Sequence, residues 1–215
     1  MTKPNIAIVD YDCGNLFSLA RALTELGVSS TITRDLGVIR HADKMILPGV
    51  GAFGEGMERI RNYELLDAIL DFAGSGKPVL GICLGMQLLL DESFEFGQHQ
   101  GLKLIQGKVT RLDQNKADAR PIKIPHIGWN SILFDPQDDK LKGLFRGLTC
   151  GTYMYFLHSF FVAPAQENHN IATTDYGPNR FCSIVKKDNI LGVQFHPEIS
   201  GPSGLRLLQN FVFET

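Results

Sequence analysis

The sequence predicts an open, mostly parallel, twisted α/β sheet with helices on both faces and added antiparallel strands. Short continuous apolar runs, such as residues 5–9, are typical of parallel strands that are covered on both sides. Helical apolar spacing alternates with these runs before residue 90, and strand-like runs dominate after it. A chain of 215 residues is long enough for one sizeable core, so we expect residues 1–215 to form a single domain.

The predicted elements follow in chain order. A strand at residues 5–9 leads to a helix that Asn15 is expected to cap and that Gly27 ends. Further strands are predicted at 28–33, 44–47 and 79–82, and helices at 64–72 and 84–90. After residue 90 we predict strands at 102–112, 122–133, 153–162, 171–174 and 181–194, the first four largely antiparallel, a hairpin turn at 187–189 and a closing helix at 203–213.

Composition excludes several classes of function. The apolar share is 44%, the charged share is 20% and the net charge is −2, so neither nucleic acid nor an anionic membrane is indicated as a partner. The N-terminal residues do not resemble a signal peptide, and the longest apolar run is too short to span a bilayer. The four cysteines are scattered without a C-x-x-C pair, so we expect a reducing cytoplasm and no metal site.

The predicted strand at 79–82 is joined to the helix at 84–90 by a single residue, Cys83. Gly81 and Gly85 lie two positions to either side of it. A direct turn from strand to helix strains the backbone, and glycines let the neighbouring chain approach closely. The pattern is typical of a nucleophile elbow, which sets the side chain at a helix N-terminus that favours a thiolate. A buried cysteine packed as a small apolar residue is the alternative.

A glycine-rich segment at residues 48–54 follows the predicted strand at 44–47. Such a segment is in the simplest case a plain turn. Sites in open α/β sheets form at the carboxyl ends of strands, so we expect this loop and Cys83 to share one rim. Backbone N–H groups of the loop would then face the site.

The last predicted strand ends in Gln-Phe-His-Pro-Glu, residues 194–198. Because side chains alternate along a strand, His196 and Glu198 are expected to point the same way, with Pro197 keeping His196 extended. A carboxylate that orients an imidazole is the partner that a cysteine nucleophile requires. A strand terminus with a surface acid is the alternative for this segment alone. The three segments together supply a nucleophile, a base, an orienting carboxylate and oxyanion donors.

These motifs resemble the class I (triad) glutamine amidotransferases. The class-level resemblance lies in Gly-Ile-Cys-Leu-Gly-Met-Gln (81–87) and Gln-Phe-His-Pro-Glu (194–198). Further stretches at 10–16, 48–54, 125–130 and 155–159 look like the glutaminase subunits of imidazole glycerol phosphate synthase. The resemblance covers residues 6–213, and it implies a class I glutamine amidotransferase-like fold that needs no cofactor.

The resemblance implies a catalytic triad of Cys83, His196 and Glu198 that hydrolyses L-glutamine to glutamate and ammonia. Cys83 would attack the side-chain amide, His196 would move the protons and Glu198 would hold the useful tautomer of His196. Donors for the oxyanion would be the backbone N–H of Leu84 and the Val50–Gly51 segment. Glycines on both sides of Val50 make a peptide flip easy there.

The same resemblance implies binding and docking residues. Glutamine would be held by Gly51, Gln87, Glu95, Ser159 and Phe160, with Glu95 pairing with the α-ammonium group. The partner would be a cyclase subunit, a (β/α)8 barrel, which forms a heterodimer with this chain and uses the channelled ammonia to make imidazole glycerol phosphate and AICAR. Docking would involve Asn15, Pro125, His126, Trp129, Asn130, Tyr155 and Ile199. From composition alone, Trp129 would be a core residue and Glu95 a solvated acid.

Two positions depart from the pattern common in this family. Ile199 stands where a lysine commonly follows the triad glutamate, and Phe94 stands where an acid is common beside Glu95. These departures leave open a paralogous subunit that feeds ammonia to another synthase, such as one for surface carbohydrates. A γ-glutamyl hydrolase, a cysteine peptidase and a non-catalytic binding subunit are further alternatives.

Overall fold

The computed structural model describes residues 3–114, 122–137 and 143–215. The described helices are α1 (Leu16–Glu25), α2 (Leu36–His41), α3 (Phe53–Asn62), α4 (Leu66–Gly74), α5 (Leu84–Leu88) and α6 (Gly201–Glu214). The described strands are β1 (Ile6–Val9), β2 (Ser30–Thr33), β3 (Lys44–Gly49), β4 (Val79–Cys83), β5 (Glu92–Ser93), β6 (His99–Gln100), β7 (Gly107–Arg111), β8 (His126–Ser131), β9 (Tyr153–His158), β10 (Phe160–Pro164), β11 (Asn170–Tyr176), β12 (Asn179–Lys187) and β13 (Ile190–Val193).

One large sheet carries most of these strands. Its parallel part has the order β2-β1-β3-β4-β13. It continues through β12, β10 and β7, which pair in an antiparallel way with β13 and with one another. A short edge follows, in which β5 is parallel to β7 and antiparallel to β6, while β11 pairs with β12. A separate antiparallel ribbon consists of β8 and β9. The predicted fold class is therefore confirmed.

Alternation along the parallel strands divides the core between the two faces of the sheet. In β1, Ile6 and Ile8 pack with the apolar residues of α1 and α6. Ala7 and Val9 point the other way and pack with α2, α3 and α4. Since both faces are covered, the strands are apolar throughout, which is why they are recognisable as continuous apolar runs.

The observed elements differ from the predicted ones at several places. The strand predicted at 102–112 is confined to β7. The strand predicted at 153–162 is two strands, because the chain leaves the ribbon at Ser159 and joins the large sheet in β10. Helices α2 and α3 were not predicted, although Asp35 accepts a hydrogen bond from the Val38 N–H and so caps α2. The predicted cap of α1 is confirmed, since the Asn15 side chain accepts from the Ser18 N–H.

The hairpin turn predicted at 187–189 does connect β12 and β13, with Asp188 at a positive φ of 51°. Within the described ranges, every helix falls short of the length and apolar character that a bilayer crossing requires.

Candidate active site

The turn from β4 into α5 places Cys83 in a rare backbone conformation, with φ at 53° and ψ at −107°. Leu84 begins the helix directly after it. The flanking glycines are required by close packing: a Cβ at Gly85 would lie 1.7 Å from the Leu47 carbonyl oxygen, and one at Gly81 would lie 2.7 Å from the Gly85 oxygen. The elbow that the sequence predicts at this position is therefore present in the structure.

His196 and Glu198 form a buried pair, with Nδ1 of the imidazole 2.8 Å from Oε1 of the carboxylate. The sequence predicted this pairing from the alternation of side chains along a strand, and that reason is wrong. The strand β13 ends at Val193, and a 3₁₀ turn begins at Pro197 and brings Glu198 back beside His196. The backbone of His196 is extended, as predicted, and its N–H donates to the Tyr155 carbonyl of β9 at 2.9 Å.

The pKa of His196 depends on its two neighbours, Cys83 and Glu198. Burial lowers the pKa of His196, but hydrogen bonding and charge from Cys83 and Glu198 outweigh this effect and raise the pKa to about 10. The imidazole is thus held protonated at neutral pH. Its Nε2 is buried, and because Nδ1 is bonded to Glu198, Nε2 is the nitrogen that is left for Cys83. A buried nitrogen of this kind, next to a thiol, is available to a reacting group.

A cavity of about 220 Å³ opens at Cys83. All the residues that the sequence predicts for glutamine and oxyanion binding line it: Val50, Gly51, Leu84, Gln87, Glu95, Ser159 and Phe160. Pro125, Leu157 and His158 line it as well; Pro125 was expected at a docking face, and neither Leu157 nor His158 was predicted as a site residue. A larger cleft of about 860 Å³, lined by residues such as Cys150 and Arg180, contains no member of the Cys83–His196–Glu198 set.

Two polar side chains in the cavity are held by the protein itself. Gln87 donates from Nε2 to the Phe160 carbonyl at 2.8 Å and to Oε1 of Gln194 at 3.2 Å, which leaves its own oxygen for a ligand. Glu95 accepts the N–H of Phe53 at 2.7 Å and therefore also stabilises the N-terminus of α3. Glu95 is half-buried, so it is not the solvated acid that composition alone predicts.

The glycine-rich segment leaves β3 and enters α3 at Phe53, so its loop is shorter than predicted. Its first half is fixed, because the Tyr11 hydroxyl donates to the Pro48 carbonyl at 2.5 Å. Its second half is open: Gly51 has a φ of 115°, and a Cβ there would meet nothing within 4 Å. Val50, between them, is 39% exposed. The loop can therefore move at Val50–Gly51 while its origin stays in place.

The predicted docking residues divide between the two faces of the ribbon. Trp129 is 54% exposed and meets Tyr155 edge to face, so the expectation of a core tryptophan is wrong. His126 is only 3% exposed, because it points to the inner face and cannot itself touch a partner. Exposed positions elsewhere are Asn15, Pro125 and Ile199, whereas Asn130 is half-buried.

Comparison with known proteins identifies the family of this chain. The family model of class I glutamine amidotransferases matches residues 7–215. The imidazole glycerol phosphate synthase subunit HisH of Sulfurimonas denitrificans is 47% identical over 206 residues, which are 96% of this chain and 96% of that protein. The HisH subunit of Rhodopirellula baltica is 45% identical over 206 residues, again 96% of each chain.

Solved structures with low sequence identity share the fold. PurLQS from Thermotoga maritima superposes with a TM-score of 0.72 at 19% identity and covers 98% of each chain. The glutaminase domain of Trypanosoma brucei CTPS with bound acivicin has a TM-score of 0.63 at 18% identity, covering 96% of this chain and 92% of that one. From the family model and the curated relatives together, we conclude that this chain belongs to the class I glutamine amidotransferases and, among them, to the HisH subunits of imidazole glycerol phosphate synthase.

Proposed function

We propose that this chain is a single-domain, cytoplasmic glutaminase subunit that hydrolyses L-glutamine and supplies ammonia to a cyclase subunit in histidine biosynthesis. The observation that carries the proposal is the buried His196–Glu198 pair beside Cys83, which lines the 220 Å³ cavity. Family membership supports the same reaction, and it counts against a γ-glutamyl hydrolase, a peptidase or a non-catalytic subunit.

In the proposed reaction, the Cys83 thiol gives its proton to His196, and the sulfur attacks the side-chain amide carbon of glutamine to form a tetrahedral oxyanion. His196 gives a proton to the amide nitrogen, the C–N bond breaks and ammonia leaves, so that a glutamyl thioester remains on Cys83. Water that loses a proton to His196 then hydrolyses the thioester to glutamate and the free thiol. Glu198 stabilises the imidazolium and fixes its orientation through Nδ1.

Oxyanion stabilisation is assigned to backbone N–H groups at two places. One is Leu84, the first residue of α5, because the first N–H groups of a helix lack partners within the helix. The other is the Val50–Gly51 segment, whose peptide would turn toward the cavity. The open space at Gly51 makes such a change sterically easy and supports the idea that partner binding completes the oxyanion hole.

Substrate recognition is assigned to the remaining lining residues. Glu95 would pair with the α-ammonium group of glutamine through its charge, and Gln87 would accept a hydrogen bond through its side-chain oxygen. Gly51, Ser159 and Phe160 would contact the substrate from the opposite walls.

The proposed partner is a (β/α)8-barrel cyclase that forms a heterodimer with this chain. Docking would use the outer face of the ribbon, around Trp129 and Tyr155, together with Asn15, Pro125 and Ile199, while His126 and Asn130 would support that face from inside. An apolar interface suits the transfer, because ammonia in water at neutral pH takes up a proton and loses its nucleophilic lone pair. Both positions that depart from the family pattern, Phe94 and Ile199, have exposed side chains, so they change the surface and not the triad.

The test is a glutaminase assay on the purified protein, alone and with the cyclase subunit and its nucleotide ligand. We expect co-elution of the two subunits and a rise in glutamate production when both partner and ligand are present. Failure to co-elute, or activity unchanged by the cyclase, would contradict the proposed partner. Partner-independent cleavage of γ-glutamyl peptides would instead favour a hydrolase.

A further inference from the structure

Two buried histidines that the proposed mechanism does not use face each other across the ribbon. His126 of β8 and His158 of β9 are register partners, and Nδ1 of His126 lies 3.1 Å from Nε2 of His158. They are 3% and 5% exposed. Two ring nitrogens that meet in this way need one donor and one acceptor, so the protonation of each ring depends on what its other nitrogen contacts.

Asn130 determines which nitrogen of His126 carries the proton. Its Nδ2 lies 2.9 Å from the Asp175 carbonyl oxygen, and its Oδ1 accepts the N–H of Ser131 at 2.8 Å. A carbonyl only accepts and an N–H only donates, so the orientation of the Asn130 amide is fixed. The same Nδ2 lies 3.4 Å from Nε2 of His126, which must therefore be an acceptor.

The protonation of both rings then follows. A neutral His126 that accepts at Nε2 carries its proton on Nδ1 and donates to Nε2 of His158. His158 carries its own proton on Nδ1 and donates to the Phe160 carbonyl at 3.0 Å. That carbonyl can only accept, so the contact with Phe160 requires a proton on Nδ1 of His158. This is the same arrangement that the contact with Asn130 requires.

Burial keeps both rings neutral. It lowers the pKa of His126 to about 4, and burial, together with the repulsion that a protonated His126 would exert, lowers the pKa of His158 to about 3. Aromatic neighbours hold the rings in place: Tyr176 and Phe156 stack on His126 with centroids 3.9 and 5.0 Å away, and Phe181 meets His158 edge to face at 4.9 Å.

The inner end of this chain of hydrogen bonds is a wall of the cavity. The Phe160 carbonyl accepts from His158 and also from Gln87, and Ser159 and Phe160 line the cavity. We propose that Asn130, His126 and His158 are positioning residues, which form a hydrogen-bond relay with one fixed direction and hold the Phe160 wall in its glutamine-binding geometry. This inference rests on the proposed glutaminase function.

The first part of the test measures glutamine kinetics of the full chain in complex with the cyclase subunit. His158→Phe keeps a ring but removes both hydrogen bonds, and we expect the KM for glutamine to rise about tenfold with a smaller change in kcat. His158→Asn keeps an amide N–H near the position of Nδ1 but has no acceptor for His126, so it should recover only part of the tenfold rise in KM. Met154→Ala, on the same buried face of β9, is the control for lost packing and should leave the KM unchanged.

The second part reads the tautomers directly, by long-range ¹H–¹⁵N NMR of the histidine rings in the full chain. We expect the Nδ1–H form for His126 and His158 at neutral pH. Asn130→Asp replaces the donor with an acceptor, and it should convert His126 to a ring that is protonated at Nε2. An Nε2–H tautomer of either histidine in the unsubstituted protein, or a KM of His158→Phe no different from that of Met154→Ala, would overturn the relay. Absence of glutaminase activity in the unsubstituted complex would instead contradict the proposed function, and the tautomers would still be readable.

Discussion

Cys83, the proposed nucleophile, is held in a conformation that costs free energy. A non-glycine residue with a φ of 53° and a ψ of −107° stores about 1–3 kcal/mol of strain. The surrounding structure maintains it, because β4 and α5 are both buried and Gly81 and Gly85 allow them to approach. The backbone of the proposed nucleophile is therefore held by the packing of β4 and α5, and its sulfur also contacts the Leu157 carbonyl at 3.6 Å and the Gln194 amide at 3.7 Å.

The first prediction concerns that side chain. Cys83→Ala removes the sulfur without changing the backbone, so we expect glutamine-dependent activity to be abolished and binding of the cyclase subunit to be retained. Activity is measured as glutamate release, and binding by co-elution. Loss of binding in this variant would mean that the elbow has chiefly a structural role, and full ammonia release would exclude Cys83 as the nucleophile.

The second prediction concerns the charge of His196. Its pKa in the folded state is raised to about 10, above an unfolded value near 6.5, so the folded state binds the proton more tightly. The stability that this contributes is fully present below about pH 6.5 and is lost as the pH rises toward 10. Because Glu198→Gln removes one cause of the shift, the difference in unfolding free energy between the original and the variant should shrink from pH 7 to pH 10.

Denaturant unfolding at a series of pH values measures that difference, and NMR titration of the His196 ring gives the pKa directly. A difference that is constant over this range, or an unchanged pKa in Glu198→Gln, would show that the carboxylate does not hold the imidazolium.

At the scale of elements, the contact between α5 and β3 leaves no room for a side chain at Gly85. A Cβ there would lie 1.7 Å from a backbone oxygen of Leu47, which cannot move without shifting the strand. We expect Gly85→Ala to destabilise the protein by about 3 kcal/mol or more, as overpacking of a rigid site does. Gly74, at the end of α4, has open space around it, and Gly74→Ala should be neutral or stabilising by up to about 1 kcal/mol.

Thermal and denaturant unfolding compare the two glycine variants. Equal stability of Gly85→Ala and Gly74→Ala would show that the elbow tolerates separation of α5 from β3.

At the scale of the whole molecule, the ribbon of β8 and β9 lies between the proposed partner and the site. The backbone of β9 accepts the His196 N–H through Tyr155, and the Leu157 carbonyl lies 3.6 Å from the Cys83 sulfur. Displacement of β9 would therefore change the contacts of both the proposed base, His196, and the proposed nucleophile, Cys83.

The prediction at this scale is that Trp129→Asp weakens binding of the cyclase subunit by about 30-fold or more without lowering the stability of the isolated chain. Trp129 is large and 54% exposed, and aromatic residues of this kind dominate the binding energy of protein interfaces. Phe213→Asp is the matched control, since Phe213 is an exposed aromatic residue of α6. Titration calorimetry compares them, and equal affinities would exclude the outer face of the ribbon as the docking surface.

Sequence reasoning predicted the parallel sheet and the elbow because both leave strong local patterns, namely apolar runs and glycines at fixed offsets from Cys83. It placed His196 and Glu198 together for the wrong reason, because a 3₁₀ turn after a proline leaves no periodic signal. It assigned His126 to the docking surface, whereas the structure buries it. Neighbouring residues of a strand point to opposite faces, and which of them points inward depends on the register in which the strand pairs with its partner. The β8–β9 pairing that sets this register connects distant segments, and no local pattern reveals it.

That dependence on register limits how this region can change. On β8, Ile127 and Trp129 face outward while His126 and Asn130 face inward, so the groups proposed to meet the partner alternate residue by residue with the groups of the proposed relay. A one-residue slip of β8 against β9 would send the indole of Trp129 into the interior and the imidazole of His126 into solvent, so that partner docking and the relay would be lost together. Length variation among relatives in this ribbon is therefore expected to occur only at its ends, whereas point substitutions can alter one face and leave the other intact.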